Sequence, residues 1–165
     1  MTLDEYLDLA RALPDVEVDT PGPGSQAPEV AWGDSFIAYR APDPLPGDER
    51  EFPFATVVTK DYPGFDTDSQ LDREGVVRLN FSVGRREYEC LLGHAPAEHD
   101  RHRGEYDPAA IGLLIPHPAY ASQGWVSLVC DGDVPGAAAS LLTLAHDQAA
   151  ERHRLRRSRK AGRVE

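Results

Sequence analysis

Cysteine is scarce in this chain: Cys90 and Cys130 are the only two among 165 residues. They form no C-x-x-C pair, which excludes the pattern of a thiol redox motif or a zinc ribbon. Each stands beside apolar residues, predicting two buried free thiols in a reducing compartment. Long apolar runs are missing as well, and none approaches the roughly 18 residues needed to cross a bilayer. The N-terminus, MTLDEYLDLA, is acidic and amphipathic, unlike a signal or transit peptide. A cytoplasmic location is the expectation. No Gly-Lys-Ser/Thr follows the glycines of residues 20–25 and no strand precedes them, so neither a phosphate-binding loop nor a dinucleotide fingerprint is present. That stretch reads as a connector. No serine lies in a G-x-S-x-G elbow. Basic charge is sparse over most of the chain: residues 1–150 carry 26 acidic and 10 basic side chains, a net −16. Such a body repels nucleic acid at long range.

What remains is ordinary globular material, 41% hydrophobic and 27% charged, enough for one domain with its own core. Thr2-Leu3-Asp4-Glu5 is a capping-box pattern. Leu3, Tyr6, Leu7, Ala10 and Leu13 recur at helical spacing up to Pro14. Residues 29–32 and 35–40 flank Gly33-Asp34 and predict a tight hairpin. Residues 41–53 are Pro-rich and acidic, a surface loop. Residues 54–59 (FATVVT) read as a strand that delivers Lys60-Asp61 to a sheet edge. Residues 75–83 alternate cleanly, placing Val77, Leu79, Phe81 and Val83 on a core face and Arg78, Asn80 and Ser82 toward solvent or a cleft. Residues 85–92 predict a short helix, with Tyr88, Leu91 and Leu92 inward. Asp107-Pro108 predicts another, reaching Leu114. Residues 125–130 form a strand and Pro135 opens a last helix whose stripe is Ala138, Leu141, Leu142, Ala145 and Ala149. No internal repeat is present. The order predicts an α+β fold in two layers, a mostly antiparallel sheet with helices packed on one face. One domain over residues 1–150 is followed by a basic tail, 151–165.

The order of elements, and several residues, resemble the MmcQ/YjbR-like family of small bacterial proteins. The resemblance covers about residues 3–152. It lies in the first helix ending at Leu13-Pro14, the hairpin, Leu79-Asn80-Phe81 on a strand, the interval from Pro116 to Trp125, the turn at Gly132-Asp133 and the long last helix. An actinobacterial branch is further suggested by Trp32-Gly33-Asp34, residues 59–64 (TKDYPG) and residues 117–121 (HPAYA). The resemblance implies a CyaY-like, frataxin-like fold: an antiparallel sheet under two helices. It also implies the DNA-binding role proposed for the wider family, which has no established enzymatic activity. Where family members often have lysines before the tryptophan, this chain has Ser122-Gln123-Gly124.

The residues themselves single out one constellation around His117, which Pro116 and Pro118 bracket and hold in restricted backbone. Trp32, Asp34, Asn80, Tyr120, Gln123 and Trp125 are the candidate binding residues. His117, with Lys60 or Asp61 nearby, is the candidate acid or base, acting on a heterocyclic or carbonyl substrate between Trp32 and Trp125. The leading reading is a binding module for a small molecule or a protein, without cofactor or resident metal. A metal-independent enzyme is its alternative. His94, His99 and His102 with Asp100 read as a solvated loop, zinc being the minority reading. Seven cations, Arg152, Arg154, Arg156, Arg157, Arg159, Lys160 and Arg163, lie in the tail, whose net charge is +5. They offer a third reading, nucleic-acid contact, although no aromatics interleave for base stacking. The competing expectation is that residues 154–160 fold back on Asp4, Glu5 and Asp8 of the first helix, or on those of a neighbouring molecule.

Overall fold

The computed structural model describes residues 1–48 and 52–163. Residues 49–51 of the Pro-rich loop and 164–165 of the tail lie outside the described residues. Among the described residues four helices, α1 (Leu3–Ala12), α2 (Gly84–Leu92), α3 (His99–His102) and α4 (Ala137–Ala161), accompany six strands. These are β1 (Val16–Asp19), β2 (Ser35–Tyr39), β3 (Ala55–Val58), β4 (Val76–Ser82), β5 (Leu114–Pro116) and β6 (Trp125–Asp131). They form one open sheet in the order β1-β2-β3-β4-β6-β5, every pair antiparallel. The fold is α+β.

Local chemistry accounts for α1. Thr2 accepts the Glu5 amide at 3.2 Å, and Glu5 reaches back to the Thr2 amide at 2.8 Å, so two otherwise orphaned donors are satisfied. The buried residues of α1 are Tyr6, Leu7 and Ala10. With Leu141, Leu142 and Ala145 of α4 they cover a sheet row of Ile37, Ala55, Phe81 and Val126. His146 of α4 donates from Nε2 to the Pro14 carbonyl at 2.8 Å, tying the end of the first helix to the last. Tyr88 of α2 joins the same core.

Of the two expectations for the opposite face, solvent or a cleft, solvent is the one that fails: Arg78, Asn80 and Ser82 are buried. The row Phe36, Thr56, Asn80, Ser127 and Ile115 runs along this face, which carries a smaller apolar cluster of Leu71, Val76, Ile115 and Val129. Arg78 ion-pairs with Asp66 of the long loop between β3 and β4. The alternation of β4 fixes which residues share a face. It does not say that a loop 12 residues upstream will lie over the polar one.

Other expectations are corrected. Residues 29–31 form a single 3-10 turn, not a strand. The partner of β2 is instead the acidic stretch Val16–Asp19, in register with residues 36–39. Asp107 does accept the Ala109 amide, at 3.0 Å, yet no helix follows. The chain turns and Leu114–Pro116 pairs with β6, whose exposed edge offers a full row of hydrogen bonds. Cys130 is buried but Cys90 is exposed, and Leu91 is part-exposed. Helix α4 runs unbroken past Glu151 to Ala161, so the boundary drawn at residue 150 falls inside it. Its basic half contacts the Pro-rich loop: Arg156 pairs with Asp48 at 3.2 Å and Arg157 with Asp43. His153 sits between Asp43 and Asp48. Those loop carboxylates, not Asp4, Glu5 or Asp8, receive the basic segment.

Candidate functional site

The sheet ends where β2 and β4 finish and β3 and β6 begin. There a cavity of about 810 Å³ opens between Phe36, Thr56, Ser82 and Trp125 of the sheet, the turn carrying His117, Tyr120 and Gln123, and Ala149, Arg152 and Arg156 of α4. Tyr39, Gly47, Phe52 and Pro53 also line it. A volume of this size suits a small organic molecule.

The turn is built by the sequence HPAYASQG. His117 donates its backbone amide to the Trp125 carbonyl at 3.0 Å, which closes the loop. Its ring then works as a cap: Nδ1 accepts the amides of Ala119 at 3.0 Å and Tyr120 at 3.1 Å. The rings of His117, Tyr120 and Trp125 come together, with centroids 4.9 Å apart for His117–Tyr120, 6.1 Å for His117–Trp125 and 6.3 Å for Tyr120–Trp125. Phe65, from the loop over the sheet, adds a ring 6.0 Å from Tyr120.

Burial, and secondarily the charge of Arg78, drive the His117 pKa down from 6.5 to about 3. The ring is neutral at pH 7. Because Nδ1 accepts two amides, its lone pair is taken and the single proton resides on Nε2. In this tautomer the ring offers a hydrogen-bond donor and has no spare lone pair with which to take a proton.

This depression is also a stability statement. Between pH 6.5 and about 3 the unfolded chain binds a proton on this residue that the folded chain refuses. Its contribution is therefore complete above pH 6.5 and is lost as pH falls through that window. His117→Asn keeps an acceptor for the two amides, as in an Asx turn, and does not titrate. From pH 7 to about 4.5 the unmodified chain is expected to lose about 2–3 kcal/mol more than this variant. Urea unfolding at both pH values measures it, and parallel losses would refute the assignment.

The remaining sequence candidates go elsewhere. Asp34 is fully buried and satisfied: it accepts the Thr59 amide and hydroxyl, each at 2.8 Å, the Lys60 ammonium at 3.4 Å and the Tyr62 hydroxyl. Burial, then the bond to Asp34, pushes the Tyr62 hydroxyl pKa upward. Lys60 also donates to the Trp32 carbonyl, and the Trp32 indole donates to the Ala27 carbonyl at 3.2 Å. Trp32-Gly33-Asp34 and Thr59-Lys60 are thus brought together as a brace between two loops. Asp61 accepts the Leu71 amide at 2.8 Å and shapes its own loop. Neither Lys60 nor Asp61 lines the cavity with His117.

Asn80 belongs to a buried network, accepting Arg78 Nε at 2.9 Å and the Ser127 hydroxyl at 2.7 Å, and donating to Thr56 at 2.9 Å. It touches the cavity through Thr56 alone. His117, Tyr120, Gln123 and Trp125 are therefore the candidates that converge. Phe36, Arg152 and Arg156 were not singled out as one site by sequence. The signal for the arginines was their four-residue spacing, meaningful once α4 is known to continue.

The histidine-rich segment is not the solvated loop expected. His94 and His99 are buried, and the rings of His94 and His102 stack 4.2 Å apart at 9°. His94 Nε2 meets the Tyr106 hydroxyl at 2.9 Å, and His102 Nδ1 meets Glu105 at 2.9 Å. Stacked rings do not aim their nitrogens at a common point. Among the described residues no group of three or more His, Cys, Asp or Glu side chains could hold a metal ion. Nor is any helix among them long and apolar enough to cross a membrane.

Fold and site define an α+β protein with an open antiparallel sheet, helices α1 and α4 on one face and an aromatic cavity at the sheet's end. Residues 1–159 match a family of unknown function, DUF6194, and the chain belongs to that family. This corrects the resemblance to the MmcQ/YjbR-like family and to a CyaY-like fold, which rested on order and spacing of elements. No curated protein and no solved structure matches the chain.

Proposed function

We propose that this protein is a binding module for a small organic molecule, held in the cavity at the end of the sheet. One observation carries the reading: His117, Tyr120, Gln123 and Trp125 converge on a volume of about 810 Å³. Aromatic walls with a few fixed polar groups are what a ligand site needs. His117 supplies a neutral N–H donor, Gln123 a carboxamide, and Tyr120 and Trp125 flat apolar area. The acid–base alternative is weaker, because the tautomer of His117 presents a donor and because Lys60 and Asp61 are engaged in loop contacts.

A ligand screen by thermal shift tests the proposal. A compound that binds only the native state raises the melting temperature by mass action, about 2.7 kcal/mol at a concentration 100 times Kd. The expected result is one or more stabilising compounds whose effect disappears in Trp125→Ala. Trp125 is only half-buried, so the variant should fold. Compounds that stabilise Trp125→Ala as strongly as the unmodified chain would place binding elsewhere and end the proposal.

A further inference from the structure

Residues 94–105 belong to neither apolar cluster of the domain. Their buried side chains are His94, Pro96 and His99, so two of the three groups that anchor the segment can take up a proton. A stretch with so little apolar burial opens locally at low cost. Its turn Pro96–Glu98 packs against α2 and against Ala121–Gln123, the turn that brings Gln123 to the cavity. Both ring nitrogens of His99, which is 7% exposed, are buried without a hydrogen-bond partner among the described residues. Its ring lies 6.4 Å from that of His94, itself stacked on His102. An imidazolium would bring a full charge and two N–H donors to a place where neither nitrogen has an acceptor. Burial first, then the Arg103 guanidinium, lower the His99 pKa from 6.5; Asp100 opposes them, and His94 and His102 add to the lowering. From α2 the Tyr88 ring meets His94 at 5.5 Å. Tyr106 bonds to His94 and Glu105 to His102. Ala121, Ser122 and Gln123 bring no titratable group.

We propose that residues 94–105 are a proton-operated clasp on the turn Ala121–Gln123: the segment is docked at neutral pH, and acid releases it and frees that turn. The docked form binds fewer protons than the released one, because His99 is held neutral in it. Docking is therefore fully stable above pH 6.5 and weakens as pH falls below it. For one histidine, going from pH 7.5 to 5.5 makes the opening about five- to ten-fold more populated. The clasp stands on the histidine cluster and does not require the binding reading above.

Amide hydrogen exchange of the full chain at pH 7.5 and 5.5, corrected for the intrinsic rate at each pH, tests this. Protection of residues 94–105 and 121–124 is expected to fall about five- to ten-fold on acidification. In His99→Leu, which does not titrate, most of that fall is expected to disappear. Proton uptake by His117 would act on both chains alike, so the difference between them reports His99. An equal fall in His99→Leu, or no fall in the unmodified chain, overturns the proposal. So does a loss confined to residues 94–105, because release would then not reach the turn. Should His99→Leu fail to fold, the ring resonances of the unmodified chain decide. A His99 titration below pH 6.5 that coincides with the loss of protection upholds the clasp, and one at 6.5 or above ends it. None of these readings involves a ligand, so the screen against Trp125→Ala stands or falls separately.

Discussion

Arg78→Ala is expected to lower the unfolding free energy by about 3–5 kcal/mol, the cost of removing one partner of a buried ion pair. Arg78 is fully buried on the sheet face opposite the long helices. Its guanidinium reaches both carboxylate oxygens of Asp66, the Ser69 hydroxyl at 2.8 Å and Asn80 at 2.9 Å. Alanine leaves the Asp66 carboxylate, itself only 7% exposed, without its cation. It also releases the loop between β3 and β4 from the sheet. The double variant Arg78→Met, Asp66→Leu removes both charges together and should recover much of the loss, because the penalty lies in the unpaired charge more than in the missing bond. Urea unfolding of the two single variants and the double gives the coupling. A loss below about 1 kcal/mol in Arg78→Ala would mean that the loop does not depend on this pair.

Gly124→Ala is expected to cost about 3 kcal/mol or more, from two separable causes. Gly124 has φ +80°, where a side chain costs about 1–2 kcal/mol. In addition an added Cβ would lie 2.9 Å from the Gly84 carbonyl carbon and 3.1 Å from its Cα. Both are backbone atoms, so relief requires moving the start of α2. That junction is fastened from both sides: the Gly124 carbonyl accepts the amides of Val83 at 3.1 Å and Gly84 at 3.2 Å. Gly93 supplies the control. It has φ +81°, but a Cβ added there would meet nothing within 4 Å, so Gly93→Ala should lose only the conformational part. Equal losses in the two variants would show that the close approach to Gly84 carries no energy. Since Gln123 and Trp125 flank the glycine, the same substitution is expected to weaken any ligand of the cavity.

The contrast between these two positions shows how far residue patterns reach. The left-handed turn at Gly124 follows a small polar stretch and precedes a strand, and the reading of residues 121–124 as a turn stands. Nothing local indicates that α2, 40 residues upstream, abuts it. Arg78 is the sharper instance. Its alternation partners Leu79 and Phe81 are buried as expected, but its own burial depends on Asp66 arriving from a separate loop. The candidate site divided in the same way. His117, Tyr120, Gln123 and Trp125 lie within nine residues and came out as one group because a single turn holds them. Trp32, Asp34, Lys60 and Asp61 share chemistry with that group but belong to loops braced among themselves.

Short-range physics therefore settled α1 with its capping box, the faces of β4, the strand after Trp125 and the α+β class, since hydrophobic period and caps act within a few residues. The pairing of β1 with β2, the recruitment of residues 114–116 to the sheet edge and the extension of α4 to Ala161 were decided by partners distant in sequence. Strand pairing compensates backbone groups on another segment, and Arg156 and Arg157 are held by Asp48 and Asp43, more than 100 residues away along the chain. The cavity is of the second kind: it exists because the end of the sheet and the basic turn of α4 meet in space.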